Sequence, residues 1–187
     1  MNLRNSTTNF GLISILFHWV SGVLIIALFA LGVWMVGLGY YDKGYYQGPF
    51  IHKSVGIILL GLMFLRFIWR LTNPNPVLLS DKPLDRLLAP LAHLCLYWLV
   101  FVVCISGYLM VTAADAGISV FNWFDIPSLF LGVDGQADLA GIWHWYLSLA
   151  LILLTVIHST AALKHHWIDK NNTLSRMLGK KSNWRKQ

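Results

Sequence analysis

The stretch that decides the fold lies at residues 139–163 and reads LAGIWHWYLSLALILLTVIHSTAAL. It contains no Asp, Glu, Lys or Arg, and it exceeds the roughly 20 apolar residues that a helix needs to cross about 30 Å of hydrocarbon. Because backbone groups find no water in lipid, they must bond to each other within a helix. The stretch therefore predicts a transmembrane helix, which carries two histidines, His144 and His158.

Three other apolar stretches predict helices of the same kind, so that four spans are expected at about 11–38, 51–71, 90–113 and 139–163. Hydrophobic residues make up 57% of the chain and charged residues only 12%, about half the charged fraction of a soluble domain, which excludes a water-soluble fold. A β-barrel is excluded because the alternating segments of about 10 residues that it requires are missing. The sequence thus predicts an all-α fold, a single integral-membrane four-helix transmembrane bundle over residues 1–187.

Lysine and arginine residues are distributed unequally between the two sides of this bundle. Twelve of the 14 fall on the side that holds both termini and the 72–89 loop, and the other side holds only Lys43 and Lys53. Since cytoplasmic segments carry the excess of positive charge, both termini are expected in the cytoplasm, as in a bacterial inner-membrane protein. The net charge of +6 and the basic cytoplasmic tail at 164–187 are then a topology signal, and no nucleic-acid partner is expected.

The longest loop, at residues 115–138, connects the third and fourth spans on the side opposite to the termini. It contains Trp123 and Phe124, and aromatic residues collect at the interface between membrane and water. We therefore expect a short interfacial helix near these two residues.

Four of the seven histidines lie within or at the ends of the first, second and fourth predicted spans, where ionisable groups are costly and mark functional sites. His144 and His158 are fourteen residues apart, which places them on the same helix face, about 21 Å apart along the axis. They therefore belong to two sites stacked across the membrane. By depth, His18 matches His158 near the cytoplasmic side (the inner pair), and His52 matches His144 near the other side (the outer pair).

Each level thus offers two imidazoles that face each other across the bundle. Zinc prefers four tetrahedral ligands, whereas haem takes two axial ligands, for which histidine is common. The residue four positions after each histidine is small and leaves room for a flat ring against the helix; the four are Gly22, Gly56, Ser148 and Ala162. Covalent attachment is excluded because no Cys-x-x-Cys-His occurs. The sequence predicts two non-covalent haems b whose irons are bound by the two pairs; alternatively, the histidines only hydrogen-bond neighbouring helices.

Four further residues lie beside the predicted haems. Arg66 is fourteen residues after His52 and reaches the inner level, where it either pairs with a haem propionate or extends to the interface. Lys53 is a candidate propionate partner at the outer level. His93 and His165 lie near the cytoplasmic surface, where they are either solvated or beside a quinone that accepts protons and electrons.

Five segments of the chain resemble the bacterial di-haem cytochrome b561 proteins of the inner membrane, which are related to the cytochrome b subunits of nickel–iron hydrogenases. The segments are FHW at 17–19, IHKSVG at 51–56, AHL at 92–94, WH at 143–144, and His158 followed by AALKHH at 161–166 and by Asp169. The resemblance extends over nearly the whole chain. It implies that the positions of the inner and outer pairs are the haem ligands.

For function, the resemblance implies electron transfer between the periplasmic face and the membrane quinone pool, with ubiquinone as the electron partner. The periplasmic donor is either superoxide, as in a superoxide:ubiquinone oxidoreductase, or a small periplasmic redox or lipid-binding protein docked on the 115–138 loop. A pure electron carrier is also consistent with the resemblance. The alternative is a membrane-anchor cytochrome b subunit of a larger dehydrogenase or hydrogenase.

Overall fold

The computed structural model describes residues 2–80, 82–114, 116–129 and 133–180. The end of the predicted tail, 181–187, and positions 115 and 130–132 of the long loop lie outside the described residues.

Four long helices form most of the protein: α1 (Leu12–Val36), α2 (Gln47–Thr72), α3 (Pro83–Thr112) and α4 (Gln136–Trp167). All four are long and apolar enough to cross a membrane. The predicted four-helix transmembrane fold is therefore confirmed. Within the described ranges there are also two small elements: a hairpin of β1 (Ile118–Val120) and β2 (Phe124–Ile126) before α4, and a short helix α5 (Thr173–Met177) after it.

Two of the helices extend well beyond the apolar stretches that predict them. α3 begins at Pro83 rather than near residue 90, because proline suits the first helical position and Asp85 in the first turn complements the helix dipole. α4 has 32 residues, so it measures about 48 Å against roughly 30 Å of hydrocarbon. Parts of both helices therefore lie in the headgroup region or in water.

The helices pack as two neighbouring pairs, α1 with α2 and α3 with α4, and the pairs meet through α2–α3 and α1–α4 contacts. A shared core cluster consists of Leu28, Leu59, Met63, Val100 and Leu151. Leu151 lies midway along α4 between its two histidines. The cluster, called the apolar layer below, therefore crosses the middle of the bundle between the two histidine levels.

Large apolar side chains cover the outward faces of the helices. Val23 on α1, Trp98 on α3 and Ile157 on α4 are 62%, 65% and 62% exposed. Soluble proteins rarely expose extended apolar surface of this kind to water. These faces are therefore suited to contact lipid.

The long loop forms a β-hairpin, so the prediction of an interfacial helix near Trp123 and Phe124 is wrong. β1 pairs antiparallel with β2. Phe121 and Asn122 form the turn with φ values of 48° and 58°, the signs that a type I′ turn requires. Aromatic residues favour the membrane interface in either backbone conformation, so they do not distinguish a helix from a strand here.

Ser54, on α2, holds the hairpin in place. Its hydroxyl accepts a hydrogen bond from the Phe121 amide at 3.1 Å and donates one to the Ser119 carbonyl at 3.4 Å. Ile118 and Val120, on one face of β1, are 3% and 0% exposed. The hairpin therefore covers the end of the bundle opposite to the termini.

Candidate functional site

The structure brings the outer pair together beneath the hairpin. His52 lies in the second turn of α2 and His144 in the third turn of α4. Their ring centroids are 6.1 Å apart and their planes are inclined by 80°. The two imidazoles therefore face each other from helices that are distant in sequence.

α3 fixes the orientation of His144. Nδ1 of His144 lies 3.0 Å from the Val103 carbonyl and 3.3 Å from the Ser106 hydroxyl. A carbonyl only accepts hydrogen bonds, so Nδ1 carries the proton and Nε2 keeps the lone pair. Histidines that bind metals are commonly held in this way, with the other ring N–H on a backbone carbonyl.

A largely apolar cavity of about 380 Å³ lies beside the outer pair. Both histidines, Lys53, Gly56 and Ser148 contribute to its lining. A Cβ atom at Gly56 would meet nothing within 4 Å, so there is open space one turn from His52. The volume lies within the range of small-molecule sites, roughly 300–1,000 Å³.

Two glycines let neighbouring helices approach the outer pair closely. A Cβ atom at Gly32 would lie 3.3 Å from Cε1 of His52, and one at Gly107 would lie 2.9 Å from Cε1 of His144. Nδ1 of His52 is buried without a hydrogen bond of ordinary geometry to any described residue. This nitrogen faces α1, because it would lie 3.8 Å from a Cβ atom at Gly32, and so Nε2 is the ring nitrogen left to bind a ligand.

The inner pair is assembled in the same way on the other side of the apolar layer. The ring centroids of His18 and His158 are 6.2 Å apart and the planes are inclined by 58°. A Cβ atom at Gly22, one turn after His18, would meet nothing within 4 Å. The inner level therefore also has open space beside a histidine.

Arg66 extends from α2 into the inner level. Its guanidinium donates hydrogen bonds to the Ser21 hydroxyl at 2.5 Å and to Nδ1 of His18 at 3.3 Å. It also lies 5.2 Å from the centre of the Tyr97 ring. Within the described ranges it contacts no carboxylate, which is unfavourable for a partly buried cation.

The hydrogen bond between Arg66 and His18 also determines which ring nitrogen of His18 carries the proton. A guanidinium has no acceptor, so Nδ1 accepts the bond and the ring proton lies on Nε2. A metal at Nε2 requires the other tautomer. Ligand binding at His18 would therefore separate Arg66 from Nδ1 and free the guanidinium for an anionic group.

His93 lies inside the inner level and not at a solvated surface. Its ring centroid is 5.2 Å from that of His158, and the two planes are inclined by 64°. Because α3 begins at Pro83, His93 already stands three turns into the helix and within the bundle. Among the described residues, the inner level thus contains three imidazoles and the Arg66 guanidinium, and the Arg70 guanidinium lies 5.4 Å from the centre of the same Tyr97 ring.

His165 lies two turns beyond His158 on the same helix, outside the inner level. Its Nδ1 is 2.7 Å from the carboxylate of Asp169, which also bonds Lys82 at 2.9 Å and Lys164 at 3.2 Å. The hydrogen bonds from Lys82, His165 and Lys164 hold the pKa of Asp169 well below its usual range. This ionised carboxylate connects the start of α3 to the end of α4.

One spacing recurs in all four long helices. Each helix has two site positions fourteen residues apart, one at each level: His18 and Gly32, His52 and Arg66, His93 and Gly107, His144 and His158. The two glycines are not predicted as site residues, although the same spacing would identify them. The spacing does not identify Ser21 and Ser106, because these residues take part through hydrogen bonds to side chains of other helices, Arg66 and His144.

The residues present fit a haem group at each level. Two opposed imidazoles match two axial positions, the open space matches a flat ring, and Arg66 matches an anionic substituent. In the part of the chain that the structure describes, no group of three or more His, Cys, Asp or Glu side chains is placed to hold a bare metal ion.

Comparison with known proteins gives consistent matches over most of the chain. A family model described as prokaryotic cytochrome b561 matches residues 9–180. The chain is 47% identical over 183 residues to cytochrome b561 homolog 2 of Escherichia coli (strain K12), with 97% of each chain covered. It is 28% identical over 167 residues to the probable superoxide oxidase CybB of Yersinia pestis, covering 88% of this chain and 92% of that protein. Cytochrome b561 homolog 1 of Escherichia coli (strain K12) is 25% identical over 173 residues, covering 90% of this chain and 96% of that protein.

Proposed function

The chain belongs to the prokaryotic cytochrome b561 family, and from this premise we propose that it transfers electrons across the membrane between two haems b, one at each histidine level. Family membership supports an electron-transferring membrane protein with b-type haem. The observation that carries the two-haem proposal is the pair of opposed imidazole couples on either side of the apolar layer. Along α4 the two levels are about 21 Å apart.

Four histidines hold the two haem irons in this proposal. The inner pair, His18 and His158, comes from α1 and α4, and the outer pair, His52 and His144, comes from α2 and α4. Bound haem supplies one-electron oxidation and reduction at its iron. The Val103 carbonyl holds the proton of His144 on Nδ1 and leaves Nε2 free to bind.

Two cations are available to the haem propionates. Arg66 is at the inner level and, among the described residues, has no carboxylate partner. Lys53 lines the cavity beside the outer pair. A cation next to a carboxylate in surroundings of low polarity stabilises both groups.

We place quinone reduction at the inner level, with ubiquinone as the acceptor. Each ubiquinone takes up two electrons and two protons to form ubiquinol. His93 contacts His158, and His165 bonds Asp169 at the end of α4. An imidazole can accept a proton on one ring nitrogen and donate one from the other, so these two histidines are suited to relay protons from the aqueous side.

Electrons enter at the outer level, and similarity to the probable superoxide oxidase of Yersinia pestis supports superoxide as one donor. Two superoxide anions would each lose one electron and become O₂, and both electrons with two protons would convert one ubiquinone to ubiquinol. Lys53 beside the outer pair would attract an anion of this kind.

A small periplasmic redox or lipid-binding protein is the other candidate donor. The hairpin covers the outer pair, and Trp123 at its turn is 75% exposed. Exposed tryptophans are frequent anchors in protein interfaces. A partner docked on the 115–138 loop would therefore contact the element that lies over the outer pair.

The orientation that this function requires places both termini in the cytoplasm of a bacterial inner membrane. The excess of Lys and Arg on the side of the termini supports this orientation. We infer that residues 1–187 act as one transmembrane domain, with the basic residues after 164 on the cytoplasmic side.

Liposomes loaded with ferricyanide test transmembrane electron transfer. Purified protein is reconstituted with its haems, an impermeant reductant is added outside, and loss of internal ferricyanide absorbance is followed. We expect reduction with the wild-type protein and with His166→Gln, which changes a histidine outside both levels. His52→Leu and His18→Leu should each abolish it, and unchanged rates in both variants would contradict the proposal.

The electron donor is identified by adding candidate donors to protein reconstituted in liposomes that contain ubiquinone. Formation of ubiquinol on addition of superoxide identifies superoxide as a donor. Ubiquinol formation only with a periplasmic extract supports a protein donor. Stable co-purification with large soluble redox subunits would instead favour the membrane-anchor function.

A further inference from the structure

A polar pocket lies at the end of the bundle that carries both termini, away from both histidine levels. Its volume is about 160 Å³, and the N-terminal segment and the chain around α5 form its walls. Its lining includes Arg4, Arg176 and Lys180, together with Ser6 and Asn9. None of its described lining residues is acidic, so the pocket combines three cationic side chains without a carboxylate.

Arg176 supplies a buried positive charge to this pocket. The residue is 5% exposed, donates a hydrogen bond to the Val77 carbonyl at 2.9 Å, and lies 5.4 Å from the centre of the Phe10 ring. Its Nε is buried and has no hydrogen-bond partner in the described ranges. Burial lowers the pKa of Arg176 from its ordinary value, but a guanidinium stays protonated in proteins. The pocket therefore contains a buried cation that an anion would stabilise.

The N-terminal wall of the pocket is held firmly against α1. The amide of Leu12 donates a hydrogen bond to the Asn2 carbonyl at 3.0 Å. Gly11 permits this close approach, because a Cβ atom there would collide with the backbone of Arg4. Arg4 is thus positioned by backbone contacts.

The C-terminal wall is fixed as well. Nε1 of Trp19 donates a hydrogen bond to the Met177 carbonyl at 2.8 Å, which attaches α5 to α1. Gly179 adopts a φ of 78°, a left-handed conformation that favours glycine. The Lys180 amide bonds the Ser175 carbonyl at 3.0 Å, so the chain turns back and brings Lys180 to the pocket.

We propose that this pocket binds a phosphate group, supplied either by the headgroup of an anionic phospholipid or by a soluble phosphate compound. Phosphate accepts several hydrogen bonds at once, and arginine matches its geometry. The pocket lies at the basic end of a transmembrane bundle, where anionic headgroups are concentrated and basic pockets bind them. The site is independent of the haems and of the proposed electron transfer.

Binding is measured on detergent-purified full-length protein by native mass spectrometry and by the shift in Tm. The probes are dioctanoyl phosphatidylglycerol, inorganic phosphate, and dioctanoylglycerol, which has the same chains but no phosphate. The test variant is Arg4→Gln combined with Lys180→Gln, because both side chains are exposed and their replacement spares the buried Arg176. Lys170→Gln is the matched control, an exposed basic residue on the same side that does not line the pocket.

We expect one molecule of a phosphate-containing probe per chain, with an affinity that falls about tenfold or more in the double variant and stays unchanged in Lys170→Gln. Binding of phosphatidylglycerol alone identifies a lipid headgroup, and binding of inorganic phosphate identifies a soluble phosphate. Equal binding of dioctanoylglycerol and phosphatidylglycerol would overturn the proposal. Wild-type affinity in a double variant that keeps the wild-type Tm without probe would overturn it too.

Discussion

Each proposed haem depends on two histidines from different helices, so single substitutions separate the two sites. We expect His144→Ala to lose the outer haem and His18→Ala the inner one, because each change removes one of two iron ligands while the other site lies about 21 Å away. The ratio of haem to protein, measured by pyridine haemochrome absorbance, should fall by half in each variant. His166→Ala should keep the wild-type ratio, and two haems in either ligand variant would refute the assignment.

Substitution of Arg66 tests whether this residue is a partner of the inner haem. A cation beside a haem favours the reduced form, which carries one more negative charge, so Arg66→Gln should lower the midpoint potential of the inner haem. The expected shift is on the order of tens of millivolts, in a spectroscopic redox titration. Arg66→Lys keeps the charge and should retain most of the wild-type potential. An equal shift in both haems, or none, would show that Arg66 is not a partner of the inner haem.

Helical periodicity in the sequence predicts which side chains lie at the same level of the bundle. His144 and His158, like His52 and Arg66, are fourteen residues apart on one helix, and the structure places one member of each couple at each level. The contact of Arg66 with Nδ1 of His18 and the position of His93 against His158 were not predictable in this way. Both depend on how far one helix is shifted along its neighbour, which sequence periodicity does not determine.

At the scale of the elements, the hairpin is bonded to α2 through one polar side chain, Ser54. Ser54→Ala removes the hydroxyl that bonds the Phe121 amide and the Ser119 carbonyl, leaving buried groups unpaired, at a cost of about 1–3 kcal/mol. Hydrogen exchange at the β1 and β2 amides should accelerate about tenfold or more. Ser159→Ala is the control, because this exposed hydroxyl bonds only its own helix. Unchanged exchange in Ser54→Ala would show that other contacts hold the hairpin.

The stability that Asp169 adds by joining α3 to α4 should depend on pH. Its pKa is lowered in the folded protein by bonds from Lys82, His165 and Lys164, so its contribution to stability is present at neutral pH and is lost as the pH falls below the usual carboxyl range. Asp169→Asn should therefore lower the Tm at pH 7, with the difference from wild type shrinking towards pH 3. A difference that stays constant over this range would contradict the ionic origin.

Helices and loops differ in how far their sequences determine them. Four charge-poor stretches suffice to predict four transmembrane helices, because in lipid a single segment satisfies its backbone hydrogen bonds by forming a helix. The ends of α3 and α4 lie beyond these stretches, where Pro83 and polar residues extend the helices outside the hydrocarbon. The hairpin could not be predicted from Trp123 and Phe124, since its position depends on Ser54 of a distant helix.

At the scale of the whole molecule, the bundle separates two similar sites by an apolar layer. The layer takes one or two side chains from every long helix, and it isolates the outer level from the inner one. Such a layer excludes water and ions, whereas electrons could still pass between the two proposed haems on its two sides. Charge is asymmetric as well, since the basic residues collect at the end that holds the termini.

The proposed pair of haem sites is tested most directly by a haem count on the purified full-length protein, combined with a reduced-minus-oxidised spectrum. We expect two haems b per chain, with low-spin bis-histidine spectra and two separate midpoint potentials in a redox titration. A preparation with one haem per chain would contradict the two-level site. Complete absence of haem after expression with adequate haem supply would contradict the electron-transfer function itself.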